Sequence, residues 1–444
     1  MNRLRQKIIA KFEGIARSID IKKMATTTKQ QVKVIGNDGG ETNHALNVDK
    51  PSIFLIALNL LHRFLGLCVR FILVKVHGEH GKSMPAIEND LLLLDSATSL
   101  AEKIRTKKVT STHVVSTFIA RINQVNPMLN CVVDQRFDAA LKEAAQADEL
   151  IASDKFTVKQ LAETKPFLGV PISTKDCIAV KDMLHTSGLW LRRNIRSPKD
   201  SDAMRLMREA GAIPFAITNV SECCMWWESS NPVHGRTRNP YDTNRIVGGS
   251  SGGEACLLGR ILAVPFVCRH FFNGIFGHKP SPSIVSNEGQ WPIPQSEEIL
   301  SFLGIGPMSR FACDLKPMLK ILSGNNADKL ALDEPVNLAT LKFFYQENDG
   351  GSLFVSPIDY DIRMAFDKVI RHLQTSLKAK PQRVKISKLK KSLPIWLTNM
   401  KQDSVGFDAQ LANLNGRINP YIELLKWFVR TIKTYIYCNY DSYH

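Results

Sequence analysis

Two short runs in the chain, Gly-Val-Pro-Ile-Ser at 169–173 and Ile-Pro-Phe-Ala-Ile-Thr at 213–218, are apolar on both alternating positions and too short for helices. Strands buried on both faces have this pattern, and they require layers of helix on either side. The neighbouring sequence supplies them. Leu100, Ala101 and Ile104 mark one helix. A second, capped by Ser111 or Thr112, runs through Val114, Val115, Phe118, Ile119 and Ile122 and stops near Pro127. Cys131-Val132-Val133 reads as a brief strand, 137–152 as an alanine-rich helix, 203–210 as a helix, and 253–262 as the start of another. The alternation predicts an α/β fold, a mixed sheet covered by helices, and argues against a sandwich. Beyond position 353 a helix at 362–377 is followed by a lysine-rich stretch at 378–391, broken by Pro381.

Upstream of position 91 the character differs. Residues 1–52 are polar, with Thr26-Thr27-Thr28 and the turn Asn37-Asp38-Gly39-Gly40, and read as a flexible tail with no secretory cleavage site. Residues 53–76 are the most apolar stretch, long enough to reach across a bilayer. Yet Asn59, His62, Arg63, Gly66 and Arg70 share one helical face. Each Arg near the middle of a span costs roughly 2.5 to 3.5 kcal/mol. The segment is therefore read as an N-terminal membrane-associating helix lying in the interface rather than spanning. Its orientation is open, and a helix buried in the globular core is the plainer alternative.

Nine scattered cysteines, with only Cys223 and Cys224 adjacent, form neither a disulfide framework nor a zinc module, which suits a reduced intracellular compartment. The net charge of +16 fits nucleic acid or an anionic membrane equally well. It is dispersed, and no RNA-binding motif accompanies it, so nucleic acid is set aside as a partner.

Two segments have the composition of a chemical site. In Val247-Gly248-Gly249-Ser250-Ser251-Gly252-Gly253-Glu254, four glycines surround two serines at a loop-to-helix junction, where backbone N–H groups can converge. A flexible Gly/Ser linker is the alternative, and the phosphate-binding glycine patterns do not fit. In the second segment Lys175 follows the apolar strand by about a turn. If buried, its amine would be pushed toward the neutral, basic form; otherwise it is a solvated turn lysine.

These segments, with Thr218 to Asn231, Gly235-Arg236-Thr237, Asn239-Pro240-Tyr241 and Phe272 to Pro280, resemble the amidase signature family and, within it, the animal fatty-acid amide hydrolases. The resemblance covers residues 91–429, taken as an amidase domain, and leaves 430–444 as a tail outside it. It implies the amidase α/β fold and a Ser-Ser-Lys mechanism passing through an acyl-enzyme. In that scheme Lys175 is the base and Ser250 the bridging serine, held after a cis peptide. Gly248, Gly249, Ser251, Gly252 and Gly253 form the supporting loop. Cys224, Met225 and Trp227, with Trp226, are candidates to line an acyl channel, core packing being the alternative for the aromatics. The implied partners are a fatty-acid amide or similar acyl amide and a membrane surface, with a homodimer left open. No metal or cofactor is indicated.

One part of the pattern is missing. The family's nucleophile lies in an Asp-Ile-Gly-Gly-Ser segment that would fall near Val264 and Pro265, yet no serine occurs between Ser251 and Ser281. Residues 260–271 can be back-translated so that a shifted frame spells Asp-Ile-Gly-Gly-Ser-Leu-Arg-Leu-Pro-Ala-Phe. This suggests that 260–270 is an out-of-frame reading. For the chain as written the expectation is an incomplete sheet and negligible turnover; a non-catalytic relative that binds acyl amides is the alternative.

Overall fold

The computed structural model describes residues 91–260, 271–294, 296–350, 358–400, 406–417 and 419, together with scattered positions between 34 and 87. The chain divides into two compact units, Met1–Cys68 and Val69–His444. In the first, Val34–Ile35 pairs antiparallel with Glu41–Thr42. The interval 261–270, on which the missing nucleophile bears, lies outside the described residues, as does the tail at 430–444. Most of 53–76 does too, although positions 64–66, 68, 71 and 74–75 are helical. Among the described residues no helix is long and apolar enough to cross a membrane.

The second unit is built around a three-stranded mixed sheet. Strand β1 (Val132–Gln135) runs antiparallel to the central strand β3 (Ile213–Thr218), and β2 (Pro171–Lys175) runs parallel to it. All residues of β2 and β3 are buried, which is why their sequences lack the polar alternation of a half-exposed strand. The β2–β3 register slips between Ile172 and Ser173, opposite Pro214. Proline has no N–H to give the ladder, and an irregularity is where a central strand tolerates it.

Helices α1 (Ala97–Arg105), α2 (Ser111–Leu129), α3 (Phe137–Ala152) and α4 (Asp202–Glu209) pack around this sheet. Helix α3 buries Ala140, Ala144, Ala147 and Ile151, a stripe of mostly small side chains at helical spacing that lets α2 approach with Phe118 and Ile122. The cap of α2 is Thr110, whose hydroxyl accepts from the His113 N–H, rather than Ser111 or Thr112. Those two residues instead give their N–H groups to Asp148 of α3, at 2.6 and 2.9 Å. Helix α2 also runs past Pro127 to Leu129. A proline in the last turn forfeits a single ladder bond, so it does not end the helix where the sequence suggested.

Helix α5 (Gly252–Arg260) begins at the glycine-serine segment, and Ala255, Cys256, Leu257 and Leu258 are fully buried. A helix apolar on all sides belongs inside the fold. Its N-terminus faces the ends of β2 and β3.

Candidate active site

Lys175 is the last residue of β2, not a residue of the following turn, and is only 2 % exposed. Its predicted solvated alternative is thereby excluded. Strand pairing places it beside Thr218, the last residue of β3. From there its Nζ donates to Ser250 Oγ at 3.1 Å.

The loop that presents Ser250 is held from several directions. The Gly249–Ser250 peptide is cis. Gly248 has φ +89, and a Cβ there would come within 2.7 Å of Phe272 Cδ2, so this position admits only glycine. Ser229 Oγ accepts from the Gly252 N–H at 2.7 Å and donates to the Gly248 carbonyl at 3.1 Å, clamping both ends of the loop to one hydroxyl. The Gly253 N–H reaches the Asn219 carbonyl at 3.2 Å, an approach that a side chain at 253 would block. Ser251 is fully buried, and its carbonyl accepts from the Ala255 N–H as α5 starts. A free Gly/Ser linker would have none of these ties.

Two carboxylates brace the site, and neither has a role legible from sequence alone. Glu254, in the first turn of α5 and fully buried, accepts from Ser173 Oγ on β2 at 3.1 Å and from Thr218 Oγ1 on β3 at 2.6 Å. It locks the helix that follows Ser250 to the strand that carries Lys175. The only local signal was a single acidic residue ahead of an apolar helical run. Asp176, also fully buried, accepts from the Thr186 N–H at 2.7 Å, the Thr186 hydroxyl and the Gly188 N–H at 3.2 Å. His234 Nε2 lies 3.3 Å away. This fan of donors fixes the turn directly after Lys175.

Of the channel candidates, Trp226 and Trp227 are 68 % and 67 % exposed, which removes core packing as their role. Met225 is half-buried. Cys224 is half-buried and sits against the Lys175–Ser250 couple, with Ser187 Oγ 3.9 Å from its sulfur. A hydrogen bond from the Cys177 thiol, the charge of Lys175 and hydrogen bonds from Ser187 and Ser250 pull Cys224 below the ordinary thiol range. The same Cys224 contact, reinforced by burial, pushes Cys177 up. Burial likewise pushes Cys223 up to about 12.

Among the described residues no group of three or more His, Cys, Asp and Glu side chains is placed to hold a metal ion. A cavity of about 710 Å³ lined by Lys82, Met128, Arg238 and Asn244, among others, shares no residue with the cluster around Lys175.

A buried lysine is thus hydrogen-bonded to a serine on a glycine-rich loop at the ends of a mixed sheet. The chain belongs to the amidase signature family: residues 113–265 match the Amidase family model. It is 45% identical over 401 residues to fatty-acid amide hydrolase 2-A of Danio rerio, covering 84% of this chain and 75% of the relative. To fatty-acid amide hydrolase 2 of Homo sapiens it is 42% identical over 390 residues, covering 84% and 73%. A solved fatty acid amide hydrolase shares the fold with a TM-score of 0.57 at 21% identity, over 74% of this chain and 59% of that one. A bacterial aryl acylamidase does so with a TM-score of 0.57 at 22% identity, over 77% and 73%.

Proposed function

We propose that this chain carries the amide-hydrolysing site of its family with the acyl-accepting serine removed. The observation that supports the reading is the 3.1 Å contact between Lys175 Nζ and Ser250 Oγ, in a chain whose sequence holds no serine from 252 to 280. In the intact reaction, neutral Lys175 draws a proton through Ser250 from a nucleophilic serine, which attacks the carbonyl of a long-chain acyl amide. The acyl-enzyme that forms is then hydrolysed. Backbone N–H groups of the Gly-Gly-Ser turn carrying that nucleophile would stabilise the oxyanion, so losing the turn removes attacking atom and oxyanion donors together. The chain as written is accordingly silent in turnover and keeps one arm of the relay.

The substrate class, long acyl amides, rests on the relatives named fatty-acid amide hydrolase 2. The reading takes 91–429 as the amidase domain, 53–76 as an intracellular interfacial anchor bringing it to a membrane surface, and 1–52 and 430–444 as tails. It takes 260–270 as an out-of-frame segment.

Labelling the natively expressed protein with a fluorophosphonate probe, followed by peptide mapping, tests the proposal. Protein verified to carry Arg260 to His270 should take no label and hydrolyse a long-chain fatty amide at the background rate; a labelled serine, or turnover above background, overturns it. Sequencing the transcript across the same codons tests the frame: an in-frame transcript encoding these residues makes the chain a true pseudoamidase.

A further inference from the structure

The cavity of about 710 Å³ that shares no residue with the Lys175–Ser250 couple takes its walls from three separated stretches of chain: Gly81 with Lys82, Pro127 with Met128 at the end of α2, and Arg238 with Thr243. Hydrogen bonds tie these walls together. The Gly81 N–H donates to Asp242 Oδ1 at 2.7 Å, the Lys82 N–H to Thr243 Oγ1 at 2.9 Å, and the Thr243 N–H to the Lys82 carbonyl at 3.2 Å. The Arg238 N–H donates to the Leu129 carbonyl at 2.9 Å, which joins the third wall to the second. The hollow is therefore formed in advance, and its size falls in the range of about 300 to 1,000 Å³ that holds small organic ligands.

Its charge has one sign. Lys82 and Arg238 both line it, and neither belongs to an ion pair among the described residues. No carboxylate lines it. Asp242, beside Thr243 in the chain, is occupied elsewhere: Oδ1 accepts from the Gly81 and Asn244 N–H groups at 2.7 and 2.9 Å, and Oδ2 faces Arg245 Nε at 3.4 Å. A cleft of this kind concentrates anions. Thr243 Oγ1, having accepted from the Lys82 N–H, keeps its own proton to donate.

We propose that this cavity binds a phosphate monoester with a small apolar group, the phosphate held by Lys82 and Arg238 and the organic part resting on Pro127 and Met128. A phosphate monoester carries a charge of about −1.5 to −2 at neutral pH, which answers both cations, whereas a carboxylate answers one. Arg238 offers a planar fork for two oxygens of the same group, and Lys82 a compact point charge. The plainer role for the two cations is to offset the negative end of α2, which needs no ligand. Because the cavity is separate from the cluster around Lys175, the proposal stands or falls apart from the hydrolytic reading of that cluster.

Calorimetric titration of the folded, full-length protein with phenyl phosphate is the test. Binding should be saturable, weaken as sodium chloride is raised, and exceed that of benzoate by about tenfold or more. Lys82→Gln and Arg238→Gln should each weaken it by about tenfold or more. Both replace exposed side chains, so the fold is kept, as an unchanged midpoint in urea confirms. Lys320→Gln, whose ammonium is already paired with Asp333 outside the cavity, should leave binding unchanged. Displacement of phenyl phosphate by glycerol 3-phosphate identifies a free phosphate as the source, and displacement by vesicles containing phosphatidic acid identifies a lipid headgroup. The proposal is overturned by the absence of saturable binding, by benzoate binding as tightly, by affinity that survives both cavity substitutions, or by displacement with neither competitor.

Discussion

Glu254 accepts the Thr218 hydroxyl at 2.6 Å, joining the first turn of the helix behind Ser250 to the last residue of the central strand. The same carboxylate takes Ser173 Oγ at 3.1 Å, so one side chain aligns both strands with the glycine-serine loop. Glu254→Ala would leave two buried hydroxyls without this acceptor and a void behind the loop. The expected loss is about 2 to 4 kcal/mol of unfolding free energy, measured by urea denaturation. Glu254→Gln keeps the shape and one acceptor oxygen, and should lose less than half as much.

Lys175 illustrates a residue retained for chemistry rather than stability. Its amine is withdrawn from water at a strand end, with Ser250 as a hydrogen-bond partner. Lys175→Met preserves the length and volume of the stem and removes a costly desolvated amine, so its midpoint in urea should match or exceed that of the parent chain. Lys175→Ala leaves a cavity in a fully buried strand and should cost about 2 to 4 kcal/mol. A large loss in the Met variant would show instead that the amine holds the loop in place.

The strands and helices around the sheet were largely legible in the sequence because burial is written there as composition. The helix Phe137–Ala152 and the strand Ile213–Thr218 have the bounds that periodicity alone assigns. Lys175 was misplaced by a turn because Thr174 and Lys175 look like the polar end of a strand. Their polarity is met inside the fold by a loop far along the chain, which no local pattern records. The helix Val158–Thr164 was missed although Thr157 and Gln160 form a capping box, a signal present in the sequence and passed over. Glu254 closes the glycine-serine segment and Asp176 directly follows Lys175, but their partners lie elsewhere in the chain, and the spacing that defines those partnerships exists only after folding.

The thiol of Cys224 should show its environment through the pH dependence of its modification. Lys175, Asp176, Cys177, Ser187, Cys223 and Ser250 face it or flank it, and the hydrogen bond from Cys177 together with the charge of Lys175 favours the thiolate. A depressed thiol pKa means that reactivity appears at lower pH than for a free cysteine, whose midpoint is about 8.5. With methyl methanethiosulfonate, the labelling rate at Cys224 should reach half its plateau clearly below that value, read by mass spectrometry of the Cys224 peptide. Ser187→Ala removes a hydrogen bond to the sulfur and should move the midpoint upward. A midpoint at or above that of a free cysteine would contradict the assignment.

A last test concerns how distant parts of the chain fix one another. Asp314, fully buried, accepts from the Ala97 N–H at 3.1 Å, the Thr98 N–H at 3.0 Å and the Thr98 hydroxyl at 2.8 Å, capping the first helix of the domain from 217 residues away. It also takes Ser309 Oγ at 2.7 Å. Helix N-termini leave N–H groups that need acceptors, and a carboxylate there also meets the positive end of the helix dipole. Asp314→Ala removes all four bonds and should cost about 3 to 5 kcal/mol in urea unfolding. Asp314→Asn keeps the acceptor oxygen but loses the charge and should fall about midway. In hydrogen exchange the variants should lose protection at the 97–100 amides before the β2–β3 ladder opens. If the two regions instead open together, the cap is part of the central cooperative unit.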